Sequence, residues 1–220
     1  MTLGIGVMAR APSSGGKSRL ASHLSGTRLC ALREALLVDT IEIIEAVPDV
    51  AAVLFFTPAE GEAEIRALSP PAWRCVAQTG GDLGERMRAA LGYLLQLPGC
   101  EAAVLVGADI PLLAADHIGD ARETLAATQG VVLGPADDGG YYLIGMRTVH
   151  AELFDGVEWG AASVLTDTLR AADRAGIEAR LIRAAYDVDT IDDLHRLERD
   201  LQDAPPDLAP RVRAWFSERS

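Results

Sequence analysis

Short, continuous apolar runs alternate with longer segments whose apolar residues recur at helical spacing along the whole chain. Residues 3–9 (LGIGVMA), 51–57 (AAVLFFT), 73–78 (WRCVAQ) and 102–109 (AAVLVGAD) read as strands. Segments 28–46, 61–68, 83–97 and 115–128 carry the 3.6-residue periodicity of helices and separate those strands. A strand that is apolar at every position is one covered on both faces, so the alternation predicts β-α-β units on a mainly parallel sheet with right-handed crossovers. The pattern breaks once, at residues 130–146 (GVVLGPADDGGYYLIGM), where a D-D-G-G turn joins two strand-like runs with no room for a crossover helix. Those two strands are expected to be antiparallel. A helix over 163–175, a strand over 178–184 (EARLIRA) and a helix over 191–201 follow. Then DAPPDLAP (203–210) reads as a linker to a last helical turn or two ending at Trp215 and Phe216. The expectation is one α/β domain over 1–202 with a mixed, mainly parallel sheet, and a C-terminal tail over 203–220 with a short helix.

Composition narrows the class. With 220 residues, 49% hydrophobic and 24% charged, the chain can bury one large core. A net charge of −12 argues against a nucleic-acid partner, because such binding requires many neutralised phosphates. A local cluster of cations can still hold a small anion against that field. Cys30, Cys75 and Cys100 are odd in number and widely spaced, which suggests neither a disulfide framework nor a zinc site and fits a reducing cytoplasm. The apolar start is too short to span a membrane and has no basic residue before it, so no membrane association is expected. Oligomeric state is not legible.

Candidate chemistry begins in ARAPSSGGKSRL (9–20), the loop after the first strand, where ligands of α/β sheets usually bind. Gly15 and Gly16 free the backbone to turn N–H groups toward an anion, and Arg10, Lys17 and Arg19 add charge. Lys17 is the only lysine among the 20 strong cations of the chain. Its compact ammonium suits a phosphate whose oxygens move during transfer. Three readings stay open: a basic surface loop; a P-loop, which Gly16-Lys17-Ser18 fits but Ala11 breaks where the first Gly is required; and a looser triphosphate cradle.

Acidic residues gather on the same rim. VLVGADIPLL ends a buried strand at Asp109, with Pro111 turning the chain out of the sheet. YDVDT (186–190) places Asp187 and Asp189 on one side and Val188 on the other, although Asp189 could equally belong to a helix N-cap region. Asp137 and Asp138 occupy the tight turn, where Asp is common for local reasons. Carboxylates facing a basic loop make a site for Mg²⁺ and a polyphosphate. His23, His117, His150 and His195 are scattered, and no nucleophile elbow is present.

These stretches, with GGDLGERM (80–87), VGADIP (106–111), LGPADDGGYYLIGM (133–146) and LFDGVEWG (153–160), resemble the family known as domain of unknown function 2064, glycosyltransferase-A-like proteins related to nucleotide-diphospho-sugar transferases. The K-S-R-L of the loop is also similar to guanylyltransferases of the molybdopterin and phospholactate types. The resemblance implies a single-domain, Rossmann-like GT-A three-layer sandwich. It implies a nucleotide site at Ala9, Arg10, Gly15, Gly16, Lys17, Arg19, Gly81, Asp82 and Gly84, with GGDLGERM lining base and ribose. Asp109, with Asp189 and Asp187, would hold metal; Asp138, Gly139, Gly140, Tyr141 and Trp159 would shape the acceptor side. Locally, GGDLGERM also reads as a helix start with Asp82 as N-cap and Glu85 three residues on, a capping box. The sequence departs from the family pattern in a shorter first loop, in Ile110, and in Ala161-Ala162.

The activity expected is Mg²⁺-dependent transfer of a nucleotidyl group from an NTP, GTP on the resemblance, to a small phosphorylated or carboxylated acceptor. Lys17, Arg19 and Asp109 would be the catalytic groups, the two cations stabilising the departing pyrophosphate. Glycosyl transfer from a nucleotide-diphospho-sugar and non-catalytic nucleotide binding are the alternatives.

Overall fold

The computed structural model describes residues 1–218. Its strands are β1 (Leu3–Arg10), β2 (Val50–Thr57), β3 (Arg74–Ala77), β4 (Ala102–Gly107), β5 (Val131–Pro135), β6 (Tyr141–Met146) and β7 (Ala179–Leu181). The helices are α1 (Gly26–Glu45), α2 (Glu62–Leu68), α3 (Leu83–Leu95), α4 (Ala115–Ala126), α5 (Val164–Ala175), α6 (Ile191–Asp203) and α7 (Pro210–Ser217). The strands form one sheet in the order β3-β2-β1-β4-β6-β5-β7. Only β6 runs against its neighbours: it is antiparallel to β4 and β5, while β1–β2, β1–β4, β2–β3 and β5–β7 are parallel. The expected hairpin is therefore present, inside a three-layer sandwich.

Both faces of the sheet are buried under helices. Leu3, Ile5 and Val7 of β1 and Val104 and Val106 of β4 pack with Leu37, Ile41 and Ile44 of α1 and Ile118 of α4. Val53 and Phe55 of β2 and Leu105 of β4 project to the other face, against Met87, Leu91 and Leu94 of α3. This two-sided burial is why the strands read as unbroken apolar runs. Between them Gly6 leaves room that no side chain could share. A Cβ there would lie 2.5 Å from Leu105 Cδ2 and 2.8 Å from the Phe55 ring. Each fully buried aliphatic or aromatic side chain contributes about 1.5–3 kcal/mol, so these two layers dominate the stability of the fold.

A third cluster joins α1, α6 and α7 through Leu32, Leu36, Leu194, Leu197, Val212 and Trp215. Pro210 opens α7, and the buried Asp39 carboxylate of α1 accepts the N–H groups of Arg211 and Val212, each at 3.0 Å. Trp215 Nε1 donates to the Arg28 carbonyl at 3.0 Å, and Arg28 lies over its ring. The C-terminal helix thus packs on its own chain. The strand expected over 178–184 is shorter, Ala179–Leu181: it pairs only with β5, and that ladder ends opposite Leu133, next to the shift between β5 and β6 at Gly134/Pro135. Among the described residues no helix is long and apolar enough to cross a membrane.

Candidate active site

β1 and β4 are neighbours, so the loops after Arg10 and Gly107 leave the sheet side by side at its carboxyl edge. The first loop makes a 3₁₀ turn at Pro12–Ser14, tied down by Ser13, whose N–H and hydroxyl donate to Glu64 at 2.9 and 2.6 Å. Gly15, Gly16 and Lys17 then take φ of 96°, 106° and 50° in succession. Two glycines permit this reversal, while Lys17 adopts a left-handed conformation that a side chain ordinarily avoids. Its result is to turn the ammonium back over the sheet edge.

There, Lys17 Nζ donates to Asp189 Oδ1 at 3.0 Å and to Asp109 Oδ2 at 3.2 Å. The lysine side chain is only 8% exposed, against 42% and 43% for the two aspartates. Burial works against its charge, but the two carboxylates outweigh it and hold the Lys17 pKa above the usual lysine value. Asp109 is fitted closely: a Cβ on Gly107 would come within 2.9 Å of its Oδ1. Asp189 is free to pair because Thr190 is the helix N-cap. Thr190 Oγ1 accepts from Asp193 N–H at 3.2 Å, and Asp193 Oδ2 accepts the N–H groups of Thr190 and Asp189 at 2.7 and 3.1 Å. The capping role considered for Asp189 belongs to its neighbour.

Val188 is fully buried, and Asp187 lies on the opposite side of the strand-like segment, with Asp109 and Asp189. One carboxylate oxygen from each of the three aspartates lies within 4.8 Å of the others. Burial, then the negative charges of Asp109, Asp189 and Asp138, push the Asp187 pKa up to about 6. Three oxygen donors this close repel one another and are stabilised by a cation. Two of them hold an ammonium here, and the set fits a hard divalent ion such as Mg²⁺.

Two cavities meet at this triad. The first, about 240 Å³, is basic: Arg10, Lys17 and Arg33 line it with Gly15, Gly16, Leu36 and Leu37, closed by Asp109 and Asp189. The second, about 250 Å³, is aromatic and acidic, with Trp159, Tyr141, Tyr142, Leu83, Met87 and Ile110 around Asp109, Asp138 and Asp187. Asp109 belongs to both, Asp189 to the first and Asp187 to the second. Trp159 is fixed by Phe154, stacked at 6.3 Å between centroids, and by Gly84, where a Cβ would touch the indole at 2.5 Å.

The structure thus brings together Arg10, Gly15, Gly16, Lys17, Asp109, Asp187 and Asp189, and across the triad Asp138, Gly140, Tyr141 and Trp159. Others of the expected site residues stand apart. Arg19 is exposed at the start of a 3₁₀ turn and lines neither cavity, because the chain has reversed at Lys17 and points the next side chains outward. Ala9 is buried within β1, its carbonyl taken by Gln78 Nε2 at 3.2 Å. Gly84 backs the Trp159 ring, and Gly139 packs beside Ala162 with its carbonyl accepting Leu165 N–H at 2.9 Å. Asp82 caps α3, accepting Glu85 N–H at 2.8 Å, while Glu85 reaches back to the N–H of Gly81 at 2.6 Å, one residue before the one a capping box predicts. Leu83 and Met87 carry GGDLGERM onto the aromatic cavity. The P-loop reading fails on topology: α1 begins only at Gly26, after two 3₁₀ turns, so no helix N-terminus follows Lys17. Arg33 escaped the sequence reading. Its only signal there was a cation set among Leu29, Leu32, Leu36 and Leu37 on an otherwise apolar face.

Comparison with solved structures agrees with this architecture. A protein from Desulfovibrio desulfuricans G20, proposed to be a nucleotide-diphospho-sugar transferase, superposes with a TM-score of 0.90 at 28% identity, over 99% of this chain and 95% of that one. A CMP:2-keto-3-deoxy-manno-octonic acid synthetase complexed with CTP shares the fold at a TM-score of 0.60 and 12% identity, over 92% of this chain and 99% of its own. A 4-diphosphocytidyl-2C-methyl-D-erythritol synthase from Anaerococcus prevotii DSM 20548 does so at 0.63 and 11%, over 91% and 96%. No curated protein sequence matches the chain. The model of one family, described as an uncharacterized protein conserved in bacteria (DUF2064), matches residues 40–161, from the last third of α1 to the loop after Trp159, and the chain belongs to that family.

Proposed function

We propose that the protein is a metal-dependent nucleotidyltransferase. It takes an NTP in the basic cavity and an acceptor in the aromatic one, and transfers the nucleotidyl group across the aspartate triad. The observation that carries this reading is the junction itself: Lys17 bridging Asp109 and Asp189 at 3.0–3.2 Å, with Arg10 and Arg33 in the same cavity. Such a concentration of cations in a protein of net charge −12 suits a polyphosphate. In the reaction an acceptor oxygen bonds to the α-phosphorus while the bond from that phosphorus to the α,β-bridging oxygen breaks, and pyrophosphate leaves. Lys17 stabilises the charge gathering on the leaving group, and Asp138, outside the triad, accepts the proton of the acceptor hydroxyl. Asp109, Asp187 and Asp189 would hold Mg²⁺, which when bound supplies neutralisation of the phosphate oxygens.

The lining of the second cavity revises the acceptor. Among the described residues its lining has no Lys, Arg or His, and it adds one carboxylate outside the proposed metal set, Asp138. This favours an uncharged, hydroxyl-bearing acceptor, stacked against Trp159, over the phosphorylated or carboxylated one that the sequence suggested. A second reading, glycosyl transfer from a nucleotide-diphospho-sugar, is favoured by the likeness to the D. desulfuricans protein. The deciding experiment follows the label. With Mg²⁺, an α-³²P-labelled NTP and a panel of sugars and polyols, the account expects label in the acceptor and unlabelled pyrophosphate in equal amount. Release of NDP and inorganic phosphate, or transfer only from a nucleotide-diphospho-sugar, would contradict it.

A further inference from the structure

α1 carries into the basic cavity a cation to which the sequence gives no role. Arg33 is anchored on a rigid element: its Nε donates to the Leu29 carbonyl one turn earlier, at 3.1 Å. Its Nη1 is buried and has no hydrogen-bond partner among the described residues. Leu29, Leu36 and Leu37, on the same side of the helix, are all nearly fully buried. A buried guanidinium N–H is costly to leave unpaired, and the group that satisfies a planar fork is an oxyanion. Carboxylates do not serve here. The two that line this cavity, Asp109 and Asp189, are engaged with Lys17.

The three cations are not equivalent. Lys17 stands at the triad, where the reacting phosphate must lie, and Arg10 is exposed, its side chain lying over Gly16. Arg33 enters from a different element and is held in place before any ligand arrives. A preorganised fork that takes no part in the contacts of the aspartate triad suits the phosphate that the reaction does not touch. We infer that Arg33 binds the terminal phosphate of the nucleoside triphosphate and is the residue by which the site tells a triphosphate from a diphosphate. The inference rests on the basic cavity being the nucleotide's phosphate site.

Calorimetric titration of the intact protein with ATP, CTP, GTP and UTP and the corresponding diphosphates, in Mg²⁺, tests it in wild type, Arg33→Gln, Arg33→Lys and Lys17→Ala. Wild type is expected to bind its preferred triphosphate about ten-fold or more tighter than the diphosphate. Arg33→Gln should remove that margin by weakening the triphosphate while moving the diphosphate by less than about three-fold. Arg33→Lys, which keeps the charge and the helix propensity, should fall between the two and guards against loss of folding in Arg33→Gln. Equal loss for both nucleotides, or unchanged triphosphate affinity, would overturn the inference and leave the broader reading standing. If Lys17→Ala leaves triphosphate affinity intact, or wild type does not distinguish the two nucleotides, the phosphate site itself is misassigned and both fall.

Discussion

Lys17 is the residue on which the site turns, and its geometry is two-sided. The same ammonium that the proposed chemistry needs on a phosphate is paired with two of the three carboxylates suited to the metal. On the proposed chemistry, metal and lysine would therefore compete for Asp109 and Asp189, and a bound polyphosphate would draw the lysine away. Lys17→Ala should thus bind Mn²⁺, measured by calorimetry without nucleotide, more tightly than wild type. The same variant should lose about 10²–10³-fold in turnover, the typical cost of removing one preorganised donor. Asp187 adds a pH dependence. With a pKa pushed up to about 6 from an ordinary 3.8, it is mostly ionised at pH 7 and mostly protonated at pH 5. Metal affinity should fall on acidification through pH 6. For folding without metal the sign is opposite. The stability linked to this group is fully present below its unfolded pKa and is lost as pH rises through about 6. Titrating Mn²⁺ at pH 5, 6 and 7, with Asp187→Asn as the pH-insensitive reference, checks the first part; melting curves across the same range check the second. At this scale the sequence showed Asp109, Asp187, Asp189 and Lys17 because each follows a strand or a glycine pair whose direction could be inferred. It did not show that Arg19 faces water, since that follows from the left-handed turn at Lys17. Nor did it show Arg33, whose helix position says nothing about which loop folds over it.

The elements were largely readable because hydrophobic periodicity reports burial, and burial here is nearly complete on both sheet faces. The hairpin over 130–146 was legible from turn length alone. The length of β7 was not, because an edge strand extends only as far as its one ladder, and the ladder to β5 ends opposite Leu133, next to the shift between β5 and β6 at Gly134/Pro135. The packing of α7 also depends on a distant residue. Asp39, buried in α1, holds the helix by accepting two of its first N–H groups. Asp39→Ala leaves those donors unpaired and should cost about 1–3 kcal/mol. For a domain of this length each kcal/mol lowers Tm by about 2–4 °C. Nucleotide binding at 20 °C should be retained, because Asp39 lines neither cavity. A melting curve with a parallel nucleotide titration separates the two effects; loss of binding without loss of Tm would mean that α7 and the site are coupled.

The whole molecule sets an acidic surface around one basic cavity, and places that cavity and the aromatic one on either side of Asp109 at the carboxyl edge of β1 and β4. The net charge of −12 argues against many contacts to a nucleic-acid backbone, and the cluster of Arg10, Lys17 and Arg33 is compatible with a small polyanion. Composition could not reveal that the aromatic cavity has no Lys, Arg or His among its described lining residues, since this depends on which loops meet in space. The central claim is that the basic cavity holds a triphosphate, and ligand-induced thermal stabilisation tests it most directly. Wild type and Lys17→Ala should be melted with NTPs, NDPs and nucleotide-diphospho-sugars, with and without Mg²⁺. At 100 times Kd a ligand adds about 2.7 kcal/mol, a shift of several degrees. The account predicts the largest Mg²⁺-dependent shift with one NTP, and its loss in Lys17→Ala. A larger shift with a nucleotide-diphospho-sugar, unchanged in Lys17→Ala, would contradict it and make the protein a glycosyltransferase.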